Sequence, residues 1–351
     1  MTHTPKKMLV TGSAGFIGSN FVRHELQIHS GIEIISLDKL TYAGNLKNLP
    51  DSSRHVFIRG DICDAKLLQN IFTQHHIDTV VHFAAESHVD RSIENPREFI
   101  ETNVLGTFNL LQISKENNIQ RFHHISTDEV YGSLHENDPA FTENTPYQPN
   151  SPYSASKAAS DHLVRAFSHT YNLPVTLSNC SNNYGPNQHP EKFIPTVIRA
   201  CLEQKSIPIY GNGSNIRDWI FVIDHCRAVS LIIREGQLNQ TYNIGGKCEL
   251  SNLQLAEMIC EIMDHRAPKN APHKKQIQFV TDRFGHDWRY AIDNSKIENT
   301  LSWKPTTSFK HGLEKTINYF AQSLGIRDQR SVLQTDPWEQ VRNKFYNWRP
   351  R

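Results

Sequence analysis

Two short segments of the 351-residue chain carry side chains suited to moving protons. Tyr153-Ser154-Ala155-Ser156-Lys157 sets a phenol and an ammonium four residues apart. On a helix those positions share one face, about one turn apart. A nearby ammonium favours phenolate, so the tyrosine pKa is expected to fall from its usual ~10. The phenolate would then be a usable base toward a hydroxyl near neutral pH. Read alone, the pair is more often an ordinary contact on a helix surface. The second segment, Ser126-Thr127-Asp128-Glu129-Val130-Tyr131-Gly132, offers two adjacent carboxyl groups. In a partly dry site they repel, one holds its proton more tightly, and an acid and a base coexist at neutral pH. In a solvated loop the same two acids would do neither.

A third segment binds rather than reacts. Thr11-Gly12-Ser13-Ala14-Gly15-Phe16-Ile17-Gly18 follows a strand-like run and precedes a helical one. Gly12 permits a tight turn, Gly15 lets the backbone approach a pyrophosphate, and Gly18 allows close helix packing. The helix N-terminus then presents free N–H groups to phosphate. Asp38 ends the next apolar run, twenty residues past the last glycine. That is the spacing of an acid that accepts hydrogen bonds from a ribose 2′-hydroxyl and repels a 2′-phosphate. The pattern points to NAD rather than NADP, although Lys39 leaves some room for the latter, and Asp38 can also be read as a surface acid. Asp61-Ile62 is placed for the adenine edge, or is an ordinary turn.

The elements that must position these groups follow from the apolar pattern. Met8–Thr11, Glu33–Asp38, His55–Gly60, Thr79–Ala85, Arg121–Thr127 and Pro174–Cys180 read as strands. They are continuous in Val, Ile and Phe rather than alternating, as in a parallel sheet covered on both faces. Helical stretches lie between them at Gly15–Ser30, Asp64–His76, Pro96–Asn118 and Pro152–Tyr171. The alternation predicts an α/β fold: a doubly wound, parallel Rossmann-type sheet with a smaller C-terminal α/β substrate lobe. The dinucleotide domain is expected over residues 1–180, with 219–248 returning to it. Residues 181–218 and 249–325 would form the second lobe, and 326–351 a polar tail. Trp219–Asp224 reads as a strand, Ser251 as the N-cap of a helix reaching Asp264, and Ser308–Leu324 as a further helix.

Composition excludes several classes of function. Lys plus Arg number 37 and Asp plus Glu 36, so the net charge of +1 gives no electrostatic case for nucleic acid or a membrane surface. Mean hydropathy is −0.53, and no apolar run approaches the ~20 residues of a membrane span. The six cysteines form no Cys-x-x-Cys pair, which argues against a disulfide framework or zinc knuckle and fits a reducing cytoplasm. Met1–Lys7 shows no signal-peptide pattern. The pairs His75-His76 and His123-His124 cannot share a helical face for a metal, so no metal is expected.

With these residues in view, the chain from Met8 to about Phe320 resembles the extended short-chain dehydrogenase/reductases that act on nucleotide sugars. Within them it looks most like the dTDP-glucose 4,6-dehydratases. The Thr127-to-Gly132 segment carries that likeness. So do Asp38-Lys39-Leu40-Thr41-Tyr42-Ala43-Gly44-Asn45, Ala84-Ala85-Glu86-Ser87-His88-Val89-Asp90-Arg91-Ser92, Asn179-Cys180-Ser181-Asn182-Asn183-Tyr184-Gly185-Pro186, Ile216-Arg217-Asp218-Trp219 and His286-Asp287-Trp288-Arg289-Tyr290. Phe284 stands where that family more often has proline, and Trp288 where a second arginine is common.

The resemblance implies an internal redox cycle on bound NAD, with C4 oxidation, loss of water across C5 and C6, and hydride return to C6. Tyr153 would take the 4-hydroxyl proton, Glu129 the C5 proton, and Asp128 would protonate the departing 6-hydroxyl. Thr127 would bond the 4-oxygen, and Lys157 would also hold the nicotinamide ribose. By the same resemblance, Phe16, Ile17, Lys39, Leu40 and Thr41 lie along the cofactor. Phe83, Ala84, Ala85, Ser87, Thr102 and Asn183 would contact it as well. Ser87 and Asn182 would face the sugar or its diphosphate, beside Phe193. Lys192, Arg217 and Arg283 are candidates for diphosphate charge, each also readable as a solvated cation. Pro208, Tyr210, Asn252, Asp282 and His286 would frame the nucleotide, and Tyr210 either stacks on the base or packs the core. The family's helices equivalent to Pro96–Asn118 and Tyr153–Tyr171 form a homodimer bundle. Two alternatives stay open: a nucleotide-sugar 4-epimerase, which would not need the acid pair, and a non-catalytic NAD-binding regulator. Uridine and cytidine remain rivals to thymidine.

Overall fold

The computed structural model describes residues 2–323, so the tail expected at 326–351 lies outside the described residues. In chain order the first strands are β1 (Lys7–Thr11), β2 (Glu33–Asp38), β3 (His55–Arg59), β4 (Thr79–His82), β5 (Arg121–Thr127) and β6 (Val175–Cys180). They are followed by β7 (Asn182–Tyr184), β8 (Ile207–Tyr210), β9 (Ile216–Phe221), β10 (Thr241–Ile244), β11 (Glu249–Ser251) and β12 (Ile277–Val280). Seven of them form one sheet in the order β10-β6-β5-β4-β1-β2-β3. Every pairing in it is parallel, as the continuous apolar strands predict. The order reverses between β1 and β4, and a crevice opens there at the carboxyl ends of the strands.

The helices are α1 (Phe16–Ile28), α2 (Ala65–His75), α3 (Val89–Glu94), α4 (Pro96–Phe99), α5 (Thr107–Glu116), α6 (Pro152–Tyr171), α7 (Phe193–Glu203), α8 (Val222–Glu235), α9 (Asn252–Arg266), α10 (Ser295–Leu301) and α11 (Phe309–Ser323). On one face of the large sheet, Phe21 and Val22 of α1 pack with Val229 and Ile232 of α8. On the other, Leu68 and Phe72 of α2, Leu110 of α5 and Val164 of α6 close the core. A separate core joins Ile194 and Ile198 of α7, Leu255 and Ile259 of α9, and Leu313 and Ile317 of α11. Among the described residues no helix is long and apolar enough to cross a membrane.

Two local expectations are corrected. The single helix read over Pro96–Asn118 is broken into α4, a π-helical segment at Ile100–Gly106, and α5. The wide turn delivers Asn103 inward, where its amide accepts from Glu86 N at 2.8 Å and donates to Glu86 O at 3.0 Å and Ser156 Oγ at 2.8 Å. Helix widening of this kind recurs at functional sites. The strand expected at Trp219–Asp224 begins earlier, as β9, and joins a small sheet in the order β11-β9-β7. It is α8 and β10 beyond it that lie with the large sheet. Ser251 caps α9 in a reciprocal box with Gln254.

Asp218, buried on β9, fastens the small sheet to the large one. Its carboxylate accepts from Gly246 N at 2.8 Å and Cys248 N at 2.6 Å in the turn between β10 and β11. Replacing it by alanine leaves two half-buried N–H donors without this partner, each costing up to the ~1–3 kcal/mol of a buried group. Asp218→Ala should therefore lose about 2–4 kcal/mol of unfolding free energy in urea; a loss below about 1 kcal/mol would contradict this role.

Candidate active site

The crevice between β1 and β4 continues beneath the second lobe as a cavity of ≈ 620 Å³. At its floor the chain turns sharply after β1. Gly12 adopts φ +67°, and a Cβ there would lie 2.6 Å from Ala84 N. A Cβ on Gly18 would lie 2.3 Å from Gly12 O, so α1 rests directly on the turn. The N-terminus of α1 has no side-chain cap and no acid in its first turn. Its free N–H groups therefore face the cavity with the positive end of the helix dipole, a cradle suited to a pyrophosphate.

Asp38 stands beside this turn. Its carboxylate accepts from Ala14 N at 2.9 Å and Leu40 N at 2.8 Å, while burial pushes its pKa above the usual range. Lys39 does not stand free for a 2′-phosphate: its ammonium pairs with Asp61 at 2.7 Å. Burial pulls Asp61 upward, but Lys39 and the Cys63 N–H outweigh it and hold the carboxyl below its ordinary value. The donor set thus fits a dinucleotide with an unmodified adenosine ribose.

The end of β5 positions the acids. All seven residues of the strand are buried, so its last residue, Thr127, and the acids after it stay inside the fold. Thr127 then caps a 3₁₀ turn over Asp128–Tyr131, accepting from Glu129 N at 3.3 Å and donating to Asp128 Oδ1 at 3.3 Å. Asp128 is 2% exposed, and its Oδ2 has no partner among the described residues. Burial, with Glu129 and Asp218 close by, drives its pKa far up. Burial raises Glu129 as well, but Arg283, Arg217 and Lys192 pull it back. Both carboxyls are thus held above their ordinary range, in unlike surroundings: cations gather about Glu129 and a second carboxylate, Asp218, stands near Asp128, an asymmetry that suits one acid and one base.

Tyr153 and Lys157 lie on α6 next to this turn, as their spacing predicts. The expected drop in the phenol pKa is not found. Burial, Glu129 and Cys180 push Tyr153 well above its ordinary value, and its hydrogen bond with the Thr127 hydroxyl pulls the other way. Lys157 Nζ does not donate to the phenol; it donates to Ile125 O at 2.8 Å and sits 3.3 Å from His124 Nε2. A shared helix face thus brings the groups together without fixing where the ammonium points.

Most of the sequence-predicted positions line this one cavity. Gly12, Gly15, Phe16, Ile17, Gly18, Asp38, Lys39, Thr41, Asp61 and Ile62 line one end, with Phe83, Ala84, Ala85, Ser87 and Thr102. Thr127, Asp128, Glu129, Tyr153 and Lys157 lie at its centre, with Asn182 and Asn183. Lys192, Phe193, Pro208, Tyr210, Arg217, Asn252, Arg283 and His286 line the far end. Leu40 and Asp282 do not line it. Leu40 takes a left-handed turn at φ 56°, and Asp282 is spent on its own loop, accepting from Arg283 N and His286 Nδ1. Arg217 is less free than expected: NH1 and NH2 donate to the carbonyls of Ile216, Asp287 and Trp288. Tyr210 is half exposed at the mouth, edge-on to His286, and is not a core residue. Phe284 is 88% exposed, so the residue that replaces the family's usual proline touches little. No cluster of metal-binding side chains occurs among the described residues.

A closure over the cavity was not foreseen. The Arg91 guanidinium lies 3.5 Å from the centre of the Tyr42 ring and donates to Glu191 at 3.1 Å. His189 meets the same Tyr42 ring edge-on. Tyr42 and Arg91 sit in segments that the resemblance singled out, but positions so far apart in the chain leave no spacing signal.

Known proteins share this arrangement. The family model described as GDP-mannose 4,6 dehydratase matches residues 9–316. The dTDP-glucose 4,6-dehydratase 1 of Escherichia coli K12 is 51% identical over 334 residues, 90% of this chain and 92% of that protein. A crystal structure of a Streptomyces venezuelae dTDP-glucose 4,6-dehydratase with NAD bound superposes with a TM-score of 0.85 at 44% identity, covering 91% of this chain and 98% of that one. A Thermotoga maritima UDP-glucose 4-epimerase reaches a TM-score of 0.83 at 29% identity, covering 91% and 99% of the two chains. The fold is thus common to both activities, while the sequence sides with the dehydratases: the chain belongs to the dTDP-glucose 4,6-dehydratases of the extended short-chain dehydrogenase/reductase family.

Proposed function

We propose that this protein converts dTDP-glucose to dTDP-4-keto-6-deoxyglucose and water, using tightly held NAD. The observation that carries the reading is the Asp128–Glu129 pair at the end of β5, with Asp128 buried, Glu129 lining the cavity, and cations gathered about Glu129. A 4-epimerase would have no use for it. Bound NAD supplies the hydride acceptor for C4 and the hydride donor for C6, and so is restored within each turnover. The Gly12–Gly18 turn and the N-terminus of α1 would hold its pyrophosphate, and Asp38 its adenosine ribose.

The chain's own groups do the proton work. Tyr153, ionised to phenolate in the loaded site, takes the proton of the sugar 4-hydroxyl, and Thr127, bonded to the phenol, steadies the oxygen that becomes a ketone. The new C4 ketone acidifies C5–H, and Glu129 removes that proton. Asp128, protonated by virtue of its burial, donates to the departing 6-hydroxyl and releases water. Glu129 is the group placed to return its proton to C5. Over the cycle Tyr153 gains a proton and Asp128 loses one. The Thr127 hydroxyl, hydrogen-bonded to both, lies on the path by which the site resets. Lys192 and Arg283 supply positive charge toward the diphosphate, with Arg283 poised over the Tyr210 ring.

The exposed apolar side chains Ile93, Ile100, Leu105, Phe108 and Tyr171 cluster on α3, α5, the π-helical segment between them and the end of α6. They support a homodimer built on these helices. All six cysteines are free thiols, which fits the cytoplasm.

Purified protein given dTDP-glucose and no added NAD should release a product lighter by one water, with UDP- and CDP-glucose slower. Glu129→Gln should lower that rate ~10²–10⁴-fold while acid quenching still traps 4-keto-glucose nucleotide. Tyr153→Phe should yield neither species at more than ~1% of the wild-type rate. A Glu129→Gln variant forming 6-deoxy product at the wild-type rate would overturn the assignment. Sedimentation should give twice the 40.3 kDa chain mass, and Leu105→Glu should give monomer; a monomeric wild type would rule out the dimer.

A further inference from the structure

Behind Lys157, away from the cavity, lies a buried polar cluster that the reaction above does not use. Tyr153, Lys157, Asp161 and Arg165 recur every fourth residue along α6 and so form one stripe. The stripe runs from phenol to ammonium to carboxylate to guanidinium. Its link to β5 is His124, one of the adjacent histidines for which no metal role was found. His124 Nε2 lies 3.3 Å from Lys157 Nζ and 3.2 Å from Asp161 Oδ1. We propose that Asp161, acting across the His124 imidazole, is the positioning residue that holds Lys157 as an ammonium in the dry interior, and this rests on reading Tyr153 and Lys157 as the oxidation pair.

The carboxylate is fixed from its other side. Asp161 Oδ2 accepts from Ser126 Oγ at 2.8 Å and from Tyr147 OH at 3.0 Å. Tyr147 OH in turn receives Arg165 at 2.7 Å and Asn179 Nδ2 at 3.1 Å. So anchored, Asp161 cannot swing away to water; it and His124 are fully buried. With hydrogen on Nδ1, Nε2 accepts from Lys157. Asp161 Oδ1 makes no hydrogen bond among the described residues, so the carboxylate acts on the ammonium through space, across the ring that separates them. The His124 Nδ1 has no partner among the described residues, so neither tautomer is locked from behind.

The groups facing Lys157 leave Asp161 as the counter-charge. From β5 comes His124, and from β4 His82, whose ring centre is 5.2 Å from that of His124. Burial keeps both imidazoles neutral, pushing them well below their ordinary range. From β6 comes the Cys180 thiol, pushed up to about 12 by burial and so uncharged. On α6 itself burial pushes the Tyr153 phenol up, so it carries no charge in the resting site and ionises only as the base of the reaction, and the Arg165 cation lies beyond Asp161. Burial alone lowers the lysine, and Asp161 is the largest influence opposing it, leaving Lys157 at about 8. Without that carboxylate the amine would shed its proton at lower pH. It would then supply neither charge to the phenol nor a full set of donors to a ribose.

The test compares turnover against pH for the holoenzyme and its Asp161→Asn variant. A lysine that must be charged gives activity at low pH that is lost as pH rises through its pKa. Asp161→Asn should move that alkaline limb at least ~1 unit toward acid while sparing the activity below it. His124→Gln, which keeps both charges but removes the bridge, should move it less in the same direction. Ser126→Ala and Tyr147→Phe, which loosen the network but keep the carboxylate, should leave the limb near its wild-type position.

A readout without substrate comes from the pH dependence of thermal unfolding. A lysine whose folded pKa is depressed makes stability rise with pH, from its folded value up to its unfolded ~10.4. In Asp161→Asn that rise should begin at lower pH than in wild type. An unmoved limb in both Asp161→Asn and His124→Gln, or a loss uniform across pH, would overturn the proposal. Absence of wild-type turnover would sink the dehydratase reading instead, and the unfolding comparison would still decide the charge coupling.

Discussion

Two adjacent carboxyl groups resist being buried together, and the site is organised around that resistance. Asp128 and Glu129 follow a strand whose every residue is inside the fold, so the backbone carries Asp128 into the interior and Glu129 onto the cavity wall. Repulsion and desolvation would then neutralise both. From the second lobe, Arg283, Arg217 and Lys192 all pull Glu129 back, whereas Asp128 has Glu129 and Asp218 beside it and feels Arg217 against them. The second lobe therefore does more than cover a ligand. On the proposed reading it favours Asp128 as the acid and Glu129 as the base, and the turn that Asp218 pins is part of the same electrostatic arrangement.

The large sheet was legible from sequence because its strands are continuously apolar and its helices are long. The glycine turn was legible because Gly12 and Gly18 each sit where a Cβ would strike backbone, a requirement that spacing alone reveals. Less was visible where the controlling interaction joins distant segments. Nothing in Pro96–Asn118 marks the widened turn that serves Asn103, because its partners are Glu86 and Ser156. The small sheet that claims β9 pairs it with β7 and β11, both only three residues long and lacking an apolar run.

The tyrosine and lysine show the limit most clearly. Their spacing correctly places them on one face of α6, but spacing carries no information on desolvation. In the folded chain the phenol is pushed up by burial, and the ammonium turns toward Ile125 and His124. The residues that govern Lys157 lie one turn further along the helix and on the neighbouring strand. A sequence reading that stops at the Tyr-x-x-x-Lys pair sees the reacting face and misses the face that holds its charge.

The central claim is that hydride leaves C4 and comes back to C6 of the same sugar. Turnover of dTDP-glucose carrying deuterium at C4, mixed with unlabelled substrate, tests it directly. The account predicts product with deuterium at C6 and none at C4. Deuterium kept at C4, or a sugar released with all its oxygens, would contradict it.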